Sequence, residues 1–343
     1  MAHMIPLRIL CAIFIFTLSM KSTDELIEII RKAISAYRFK DQPAGLYEPL
    51  AYAMSLGGKR VRPLLCLLAY NLYKEDVETA LMPALGVEFF HNFTLLHDDV
   101  MDRSFIRRGQ PCVHVKWDEN TAILSGDALQ VVAYQLVAQA PAACLKECLD
   151  LFSQTALEVC EGQSYDMLFE SRQDVAEDEY LEMIRLKTAV LLAGSLKMGA
   201  IVAGAPASDA QHLYDFGIHI GIAFQIKDDL LDVWGNPAIF GKAIGGDIMC
   251  NKKTFLLIHA LKYADEDQRR ELLRYMSSDD IDRSEKVQAV TELYESVGVR
   301  KVCEDLMQNH ENMAMAALDA LAVDRERTKY LRQLAESMMK RQM

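Results

Sequence analysis

The chain has 343 residues, of which 51% are hydrophobic, so it can bury a large core in one large or two medium domains. Its 37 Lys and Arg residues against 49 Asp and Glu residues give a formal net charge of -12, which argues against nonspecific nucleic-acid binding. Gly and Pro are few, at 17 and 9, while Met numbers 17, and this composition favours helices.

The eight Cys residues include no CxxC pair, which argues against a zinc site. We expect all eight to be small buried residues. Reduced thiols are typical of the cytoplasm, so the predicted location is cytoplasmic.

Residues 1–19 carry an apolar stretch that is interrupted by Arg8. It is too short to span a membrane by itself, and the small-x-small cleavage site of a signal peptide does not follow it. We therefore predict a non-native start, or a disordered apolar extension, over 1–19 and a single domain over 20–343. A signal, an anchor and a helix docked on the body are the alternatives.

From Thr23 onward the sequence predicts one helix after another. The first has a Ser/Thr cap and acidic residues in its first turn, the second ends at Gly57-Gly58, and a third follows Pro63. A loop is expected at 103–117. Further helices are expected at 82–102, 121–138, 142–169, 176–203, 208–234, 251–264 and 267–276, with two or three more after 284. The predicted fold class is all-α, and no linker or domain boundary interrupts it.

Two acidic clusters of the form DDxxD lie in apolar surroundings, in LLHDDVMD and FQIKDDLLD. Residues four apart share one face of a helix, so the outer carboxylates of each cluster point the same way although they repel each other. Mg²⁺ prefers oxygen ligands and is commonly held by one or two carboxylates plus substrate phosphates. Two such clusters would clamp a diphosphate through metal ions. The clusters are Asp98, Asp99 and Asp102, and Asp228, Asp229 and Asp232.

Two other interpretations of the acidic clusters are open. Each could be a solvated acidic helix end, or the first could be a phosphatase-type Asp site that follows a β-strand. The stretch before Asp98 has few β-branched residues and no alternation, so a strand is disfavoured there.

Basic residues follow both acidic clusters in Gly-containing loops, and a third basic group follows two glycines. Such groups would complete a diphosphate site by neutralising its charge, whereas a lone basic triplet is usually a solvated surface. They are Lys59, Arg60 and Arg62 in GGKRVRP, Arg107 and Arg108 in RRG, and Lys242, Lys252 and Lys253 in the segment GK to NKKT.

Taken together, these motifs resemble the trans-isoprenyl diphosphate synthases of the polyprenyl synthetase family. GGKRVRP, LLHDDVMDRSFIRRGQPCVH, GDAL, LKTAVLL, FQIKDDLLD and GK to NKKT occur in the family's order from about Ser22 to the C-terminus. The resemblance implies one all-α helical bundle around a deep cavity, the isoprenoid synthase fold. It also implies a homodimer that takes isopentenyl diphosphate and allylic diphosphates, needs no membrane and binds no nucleic acid.

The resemblance further implies a role for each matching residue. Three Mg²⁺ ions would be bound, two by Asp98 and Asp102 and one by Asp228, with Asp99, Asp229 and Asp232 in support. Isopentenyl diphosphate would be held by Lys59, Arg62, His91 and Arg108. The allylic diphosphate would be held by Arg107, Lys187, Lys242 and Lys252. Lys187, Thr188, Gln225 and Lys242 would be catalytic, with Thr188 and Gln225 facing the developing cation. Alternatively, His91 is a buried structural histidine, and Thr188 and Gln225 bond only to the backbone.

In this family the side chains before the first DDxxD limit the length of the product. Here Phe93 stands five residues before the motif, Thr94 four before it, and Phe89 and Phe90 lie a turn deeper. This arrangement resembles the short-chain synthases and implies a C15 to C20 product, with C20 favoured. The opposite wall of the cavity also contributes.

Three other functions remain as alternatives. A terpene cyclase of the same fold usually carries a different second metal motif, and a noncatalytic partner subunit of a prenyl synthase tends to lose its Asp motifs. A magnesium-dependent diphosphate hydrolase is the third.

Overall fold

The computed structural model describes residues 20–236, 244–278 and 281–340. Within these ranges the chain forms α-helices joined by short connections, with one two-stranded hairpin. Residues 1–19, and with them the predicted N-terminal extension, lie outside the described residues. The helices are α1 Thr23–Ala36, α2 Ala44–Ser55, α3 Val61–Asn71, α4 Glu78–Met101, α5 Val113–Lys116, α6 Glu119–Val137, α7 Leu145–Ser171, α8 Glu177–Ile184, α9 Val190–Ala203, α10 Ala207–Trp234, α11 Gly246–Met249, α12 Phe255–Tyr263, α13 Glu266–Ser277, α14 Arg283–Val297, α15 Val299–Asp319 and α16 Lys329–Met339.

The predicted helical class is confirmed, and the first helix shows why the sequence signals were sufficient. The Ser22 hydroxyl accepts a hydrogen bond from the Glu25 backbone N–H, and the Glu25 carboxylate accepts one from the Ser22 backbone N–H at 2.7 Å. This reciprocal capping box satisfies two backbone donors that the helix leaves open. Leu26 and Ile30, one turn apart, then bury their side chains completely.

Helix α9 forms the centre of the bundle, because almost all of its residues are buried. It packs against α3, α4, α7 and α10. The apolar segment Glu177–Ala203, which runs through α8 and α9, is long enough to cross a membrane, but 83% of its most apolar window is buried inside the protein. Its apolar character is therefore that of a core helix.

The predicted loop at 103–117 contains regular structure. Strand β1, Ile106–Arg107, pairs antiparallel with β2, Gln110–Pro111. Arg108 and Gly109 form the turn, with φ of 54° and 77°. A two-residue turn with positive φ at both positions matches the twist of a hairpin. The hairpin places Arg107 on a strand and Arg108 at the turn.

The single helix predicted at 176–203 is interrupted between α8 and α9 by a π-helical turn, Arg185–Ala189. The helix predicted from 251 begins only at Phe255, where the Thr254 side chain caps it. The expectation that every Cys is buried is wrong for Cys160 and Cys250, which are exposed, and for Cys144, which is half-buried; Cys11 lies outside the described residues. The seven described Cys residues are all free thiols.

Candidate active site

A cavity of about 460 Å³ lies between α4, α7 and the segment from the π turn into α9. Its lining combines charged and apolar side chains that are far apart in sequence. Seven residues with predicted site roles line it: Arg62, His91, Phe93, Thr94, Asp98, Lys187 and Thr188.

The first acidic cluster divides into two environments at the C-terminal end of α4. Asp98 faces the cavity, and the pKa of its carboxyl is raised to about 6, chiefly by burial, with Lys187 opposing the shift and Asp102 adding to it. Asp102 ends the helix and is exposed. Asp99 is buried and therefore differs from both neighbours.

Arg107 on the hairpin accounts for the position of Asp99. Its Nε and guanidinium N–H groups donate to one carboxylate oxygen of Asp99 at 3.0 and 2.5 Å. The Asp99 carboxylate also acts on the Cys112 thiol, whose pKa is raised to about 12 by burial first and then by this negative charge. A metal role for Asp99 stays a prediction; in this structure its carboxylate holds the hairpin onto α4.

Arg108, at the turn of the hairpin, reaches the loop after α2. Its guanidinium donates to the Gly57 carbonyl, and a Cβ atom on Gly58 would lie only 2.7 Å from its Cζ atom. Gly58 also has a φ of 125°, a conformation that other residues rarely adopt. The two glycines therefore allow the guanidinium to lie against the backbone of the loop that carries Lys59.

In the second acidic cluster, on α10, the middle aspartate is again more buried than the first. Asp229 is buried; the Tyr180 hydroxyl and the Gln225 amide donate to it, the latter at 3.2 Å. Burial and the nearby Asp247 raise the pKa of Asp229 to about 7. The Thr188 hydroxyl lies 3.4 Å from Gln225 Oε1, so Thr188 and Gln225 bond to side chains rather than only to the backbone.

Asp232, one turn beyond Asp228, accepts a hydrogen bond from the Asp247 backbone N–H at 2.9 Å. Asp228 is half-buried on α10. The short helix α11 therefore contacts the second cluster through its first turn, and it brings Asp247 close to the site.

Lys252 lines a cleft with Asp229 of the second acidic cluster and with Asp247. Desolvation works against its charge, but the carboxylates of Asp247, Asp166, Asp229 and Asp102 raise its pKa above the ordinary value. Because Asp102 belongs to the first cluster and Asp229 to the second, the negative charge of both clusters acts on this one cation. Lys242, which the sequence predicts beside them, lies outside the described residues.

The basic motif GGKRVRP places its two arginines in different environments. Arg60 adopts a left-handed backbone conformation and points into the core, where it contacts Glu88 at 2.6 Å with both side chains almost fully buried. Arg62 lines the cavity, and its Nε has no hydrogen-bond partner among the described residues. Burial lowers the pKa of Arg62 to about 10.

His91 lines the cavity on α4. Burial, followed by the positive charges of Arg62 and Arg108, lowers the pKa of His91 well below its ordinary value. The imidazole is therefore neutral at pH 7, and it can donate one hydrogen bond without adding another charge.

The four residues predicted to limit product length do not share one environment. Phe93 and Thr94 line the cavity, and Phe93 is backed by Phe90, with ring centroids 5.3 Å apart. Phe89 is fully buried on another side of α4, against Tyr37 at 4.9 Å. It lies outside the lining of this cavity.

Three polar residues near the cavity were not selected from the sequence. Gln163 lines the cavity from α7, Asp166 accepts a hydrogen bond from Lys187 at 2.5 Å, and Asp247 lies beside Asp229 and Lys252. The spacing of Gln163 and Asp166, three apart in EGQSYD on a long helix, places both on one face and could have indicated them.

Comparisons with known proteins identify the family of the chain. A family model described as Polyprenyl synthetase matches residues 43–296. A geranylgeranyl diphosphate synthase of Methanosarcina mazei is 43% identical over 242 residues, 70% of this chain and 71% of that protein. A geranylfarnesyl diphosphate synthase of Natronomonas pharaonis is 35% identical over 332 residues, 92% of this chain and 95% of that protein. The crystal structure of a geranylgeranyl pyrophosphate synthase superposes with a TM-score of 0.90 at 40% identity, covering 94% of this chain and 100% of that one.

The chain therefore belongs to the polyprenyl synthetase family. Within that family it is a short-chain trans-isoprenyl diphosphate synthase with the all-α isoprenoid synthase fold. The predictions of family, fold class and enzyme class are confirmed.

Proposed function

We propose that this enzyme condenses isopentenyl diphosphate with an allylic diphosphate to give a prenyl diphosphate of C15 to C20, with C20, geranylgeranyl diphosphate, favoured. One observation carries the proposal: a single cavity combines a charged set, Arg62, Asp98 and Lys187, with apolar side chains such as Phe93 and Leu191. A diphosphate with an apolar tail has the same two-part chemistry.

The charged residues would divide between the two substrates. Lys59, Arg62, His91 and Arg108 would hold isopentenyl diphosphate; Arg62 and the neutral His91 supply donors at the cavity wall. Arg107, Lys187, Lys242 and Lys252 would hold the allylic diphosphate. Asp166 holds Lys187 in its present position, and Asp99 holds Arg107, so both cations are oriented before substrate arrives.

Magnesium fits the donor set. Asp98 and Asp102 lie on one face of α4, and burial has already raised the pKa of Asp98 to about 6, so a divalent cation would relieve a costly pair of carboxylates. Asp98 and Asp102 would hold two ions and Asp228 a third, with Asp229 and Asp232 in support. When bound, the ions neutralise the leaving diphosphate.

The chain's own residues would then direct the chemistry. Lys187 and Lys252 would stabilise the charge that collects on the leaving diphosphate. Thr188 and Gln225, linked to each other and to Asp229, would face the allylic cation. Arg62 and His91 would hold the isopentenyl double bond in reach of it, and the proton lost after condensation would pass to the released diphosphate.

Phe93 would limit the product because it lines the cavity with Phe90 packed behind it. Val159 and Leu191 line the same cavity from other helices. A tail that grows toward Phe93 would meet an aromatic ring that is itself backed by another ring.

A homodimer is part of the proposal. Helices α6 and α7 carry exposed apolar residues, including Leu124 and Val131, seven apart on α6, and Leu157 and Leu168 on α7. Apolar side chains that share a helix face and remain exposed mark an interaction surface, and a second copy of the chain is the proposed occupant. The free thiols fit a cytoplasmic location.

Mass spectrometry of the products tests this function. Purified enzyme is supplied with Mg²⁺, isopentenyl diphosphate and, in turn, C5, C10 and C15 allylic diphosphates. We expect a C20 diphosphate that disappears with EDTA. A cyclic hydrocarbon would indicate a cyclase and free phosphate a hydrolase; no condensation with any starter would contradict the synthase and favour a noncatalytic partner subunit.

A further inference from the structure

Lys286, on α14, is a buried cation that donates to a neutral group. The residue is 4% exposed, and its ammonium donates to the Asn251 Oδ1 atom at 2.9 Å. That acceptor belongs to an amide and carries no opposite charge. A buried ammonium is costly unless an opposite charge or good hydrogen bonds compensate it. The lysine therefore lies at this position at a cost to stability, and what it contacts there is Asn251.

Asn251 links two helices that follow it in the sequence. Its Oδ1 atom accepts from Lys286 of α14, and its Nδ2 atom donates to the Met276 carbonyl in the last turn of α13 at 2.9 Å. Because an ammonium only donates and a carbonyl only accepts, these two partners fix which way the amide is turned. The backbone of Asn251 is left-handed, with φ of 52°, a conformation that asparagine tolerates better than most residues. Asn251 is therefore held from two sides at a sharp bend of the chain.

Lys252 follows this bend directly. Its backbone N–H donates to the Asp247 carbonyl at 2.9 Å, and its carbonyl accepts from the Thr254 N–H at 2.8 Å. Lys252 and Lys286 line one cleft. The carboxylates of both acidic clusters act on the Lys252 ammonium, whereas Lys286 contacts the residue before it. A movement of Asn251 would therefore carry Lys252 with it.

We propose that Lys286 is a positioning residue for the condensation: through Asn251 it fixes the turn that places the Lys252 ammonium for the allylic diphosphate. The proposal rests on the proposed function, which assigns that substrate to Lys252. A hydrogen bond from a cation is roughly twice as strong as one between neutral groups, so a lysine holds the amide more firmly than a neutral donor would. Because Lys286 acts through Lys252, its removal should matter only while Lys252 is present.

A double-mutant cycle tests the link between the two lysines. Lys286→Met, which removes the ammonium and keeps an unbranched side chain, is measured in the wild type and in Lys252→Met. In the wild type we expect kcat/KM for the allylic diphosphate to fall about 10- to 100-fold, since a small displacement of a group at the reacting centre has effects of this size. In Lys252→Met the same change should lower it by no more than about twofold. KM for isopentenyl diphosphate should stay within about twofold throughout, because Arg62 and His91 are untouched.

Asn251→Gly breaks the same link from the other side. Glycine adopts the left-handed backbone readily, so this variant removes the side chain and keeps the bend. It should lower kcat/KM as Lys286→Met does, and combining the two should add little. Thermal melting checks that each variant is folded; if Lys286→Met is not, Asn251→Gly with and without Lys252→Met completes the cycle. Lys301→Met, at an exposed lysine of α15, is the matched control and should behave as the wild type.

Two results would overturn the proposal. One is an unchanged kcat/KM for the allylic diphosphate in Lys286→Met. The other is an equal loss in the wild type and in Lys252→Met, together with no loss in Asn251→Gly, since Lys286 would then contact the diphosphate itself or support the fold in general. Wild-type enzyme without condensation activity would instead remove the proposed function.

Discussion

Gly162 on α7 lies so close to the backbone of Lys187 that a Cβ atom on Gly162 would be 2.3 Å from the Lys187 nitrogen. The same atom would be 2.7 Å from the Leu186 carbonyl carbon. Both contacts are with backbone, in the π turn that carries Lys187 and Thr188. The absence of a side chain at Gly162 therefore allows α7 to approach the π turn this closely.

We expect Gly162→Ala to push α7 away from the π turn, because neither backbone can yield without moving its helix. The free energy of unfolding should fall by about 1–3 kcal/mol, the usual cost of overpacking. The catalytic rate should fall as well, since Lys187 and Asp166 lie on the two separated elements. Urea denaturation and steady-state kinetics measure the two effects.

Gly45→Ala is the matched control, because a Cβ atom at Gly45 in α2 would meet no atom within 4 Å. There the loss of backbone freedom in the unfolded chain should leave stability unchanged or raise it by up to about 1 kcal/mol. If the two substitutions lowered the free energy of unfolding equally, the close contact between Gly162 and Lys187 would have no effect on stability.

Much of the fold could be predicted from sequence, because helices leave local signals. The Ser22 cap marks the start of α1, and Gly57 and Gly58 follow the end of α2. Both signals are contained in the few residues next to the helix end that they mark. The acidic clusters could be predicted equally well from the sequence, since a spacing of four residues places Asp98 and Asp102 on one face of a helix whatever the tertiary structure.

The remaining features depend on tertiary contacts that have no local signal. The π turn interrupts a segment whose pattern is uniformly helical, and the backbone that it lies against is that of Gly162, more than twenty residues earlier. Arg60 and Arg62 belong to one basic motif, and it is the positions of Glu88 on α4 and of the Met54 carbonyl that make Arg60 structural.

The two arginines should respond oppositely to substitution by Met. Arg60→Met leaves the buried Glu88 carboxylate without its cationic partner, although the Asn92 amide still donates to it at 3.1 Å, so we expect a loss of about 3–5 kcal/mol in the free energy of unfolding. Arg62→Met removes a cation that burial already disfavours, so stability should be unchanged or higher while KM for isopentenyl diphosphate rises. Chemical denaturation and kinetics on both variants provide the measurement; a stable Arg60→Met protein would contradict the structural role.

His219 on α10 and His310 on α15 should make stability depend on pH. Their Nδ1 atoms are 3.0 Å apart, so one ring donates and the other accepts. Burial and the neighbouring His219 lower the pKa of His310 to about 4, whereas the pKa of a histidine in the unfolded chain is about 6.5. As pH falls from about 6.5 to 4 the unfolded state takes up a proton that the folded state refuses, and stability is lost.

We expect the free energy of unfolding to fall by about 2 kcal/mol because of this pair when the pH is lowered from 7 to 4.5, after allowance for the partial exposure of the two rings. Asp98 and Asp229, whose pKa values are raised to about 6 and about 7, act with the opposite sign. The pair is therefore isolated by comparing urea denaturation of the wild type and of His310→Gln at both pH values. If both proteins lose the same stability on acidification, the pair does not contribute.

Phe93 and Phe89 offer a test that separates the cavity from the core. Phe93→Ala removes a ring from the cavity lining, so the growing tail should extend by at least one isoprene unit. Phe89→Ala removes a fully buried ring that packs against Tyr37; we expect a loss of about 3–5 kcal/mol in stability and no change in product length. Mass spectrometry of the products and thermal melting distinguish the two. A longer product from Phe89→Ala, or an unchanged product from Phe93→Ala, would mean that the tail runs along a different side of α4, because only one of these rings can lie in its path.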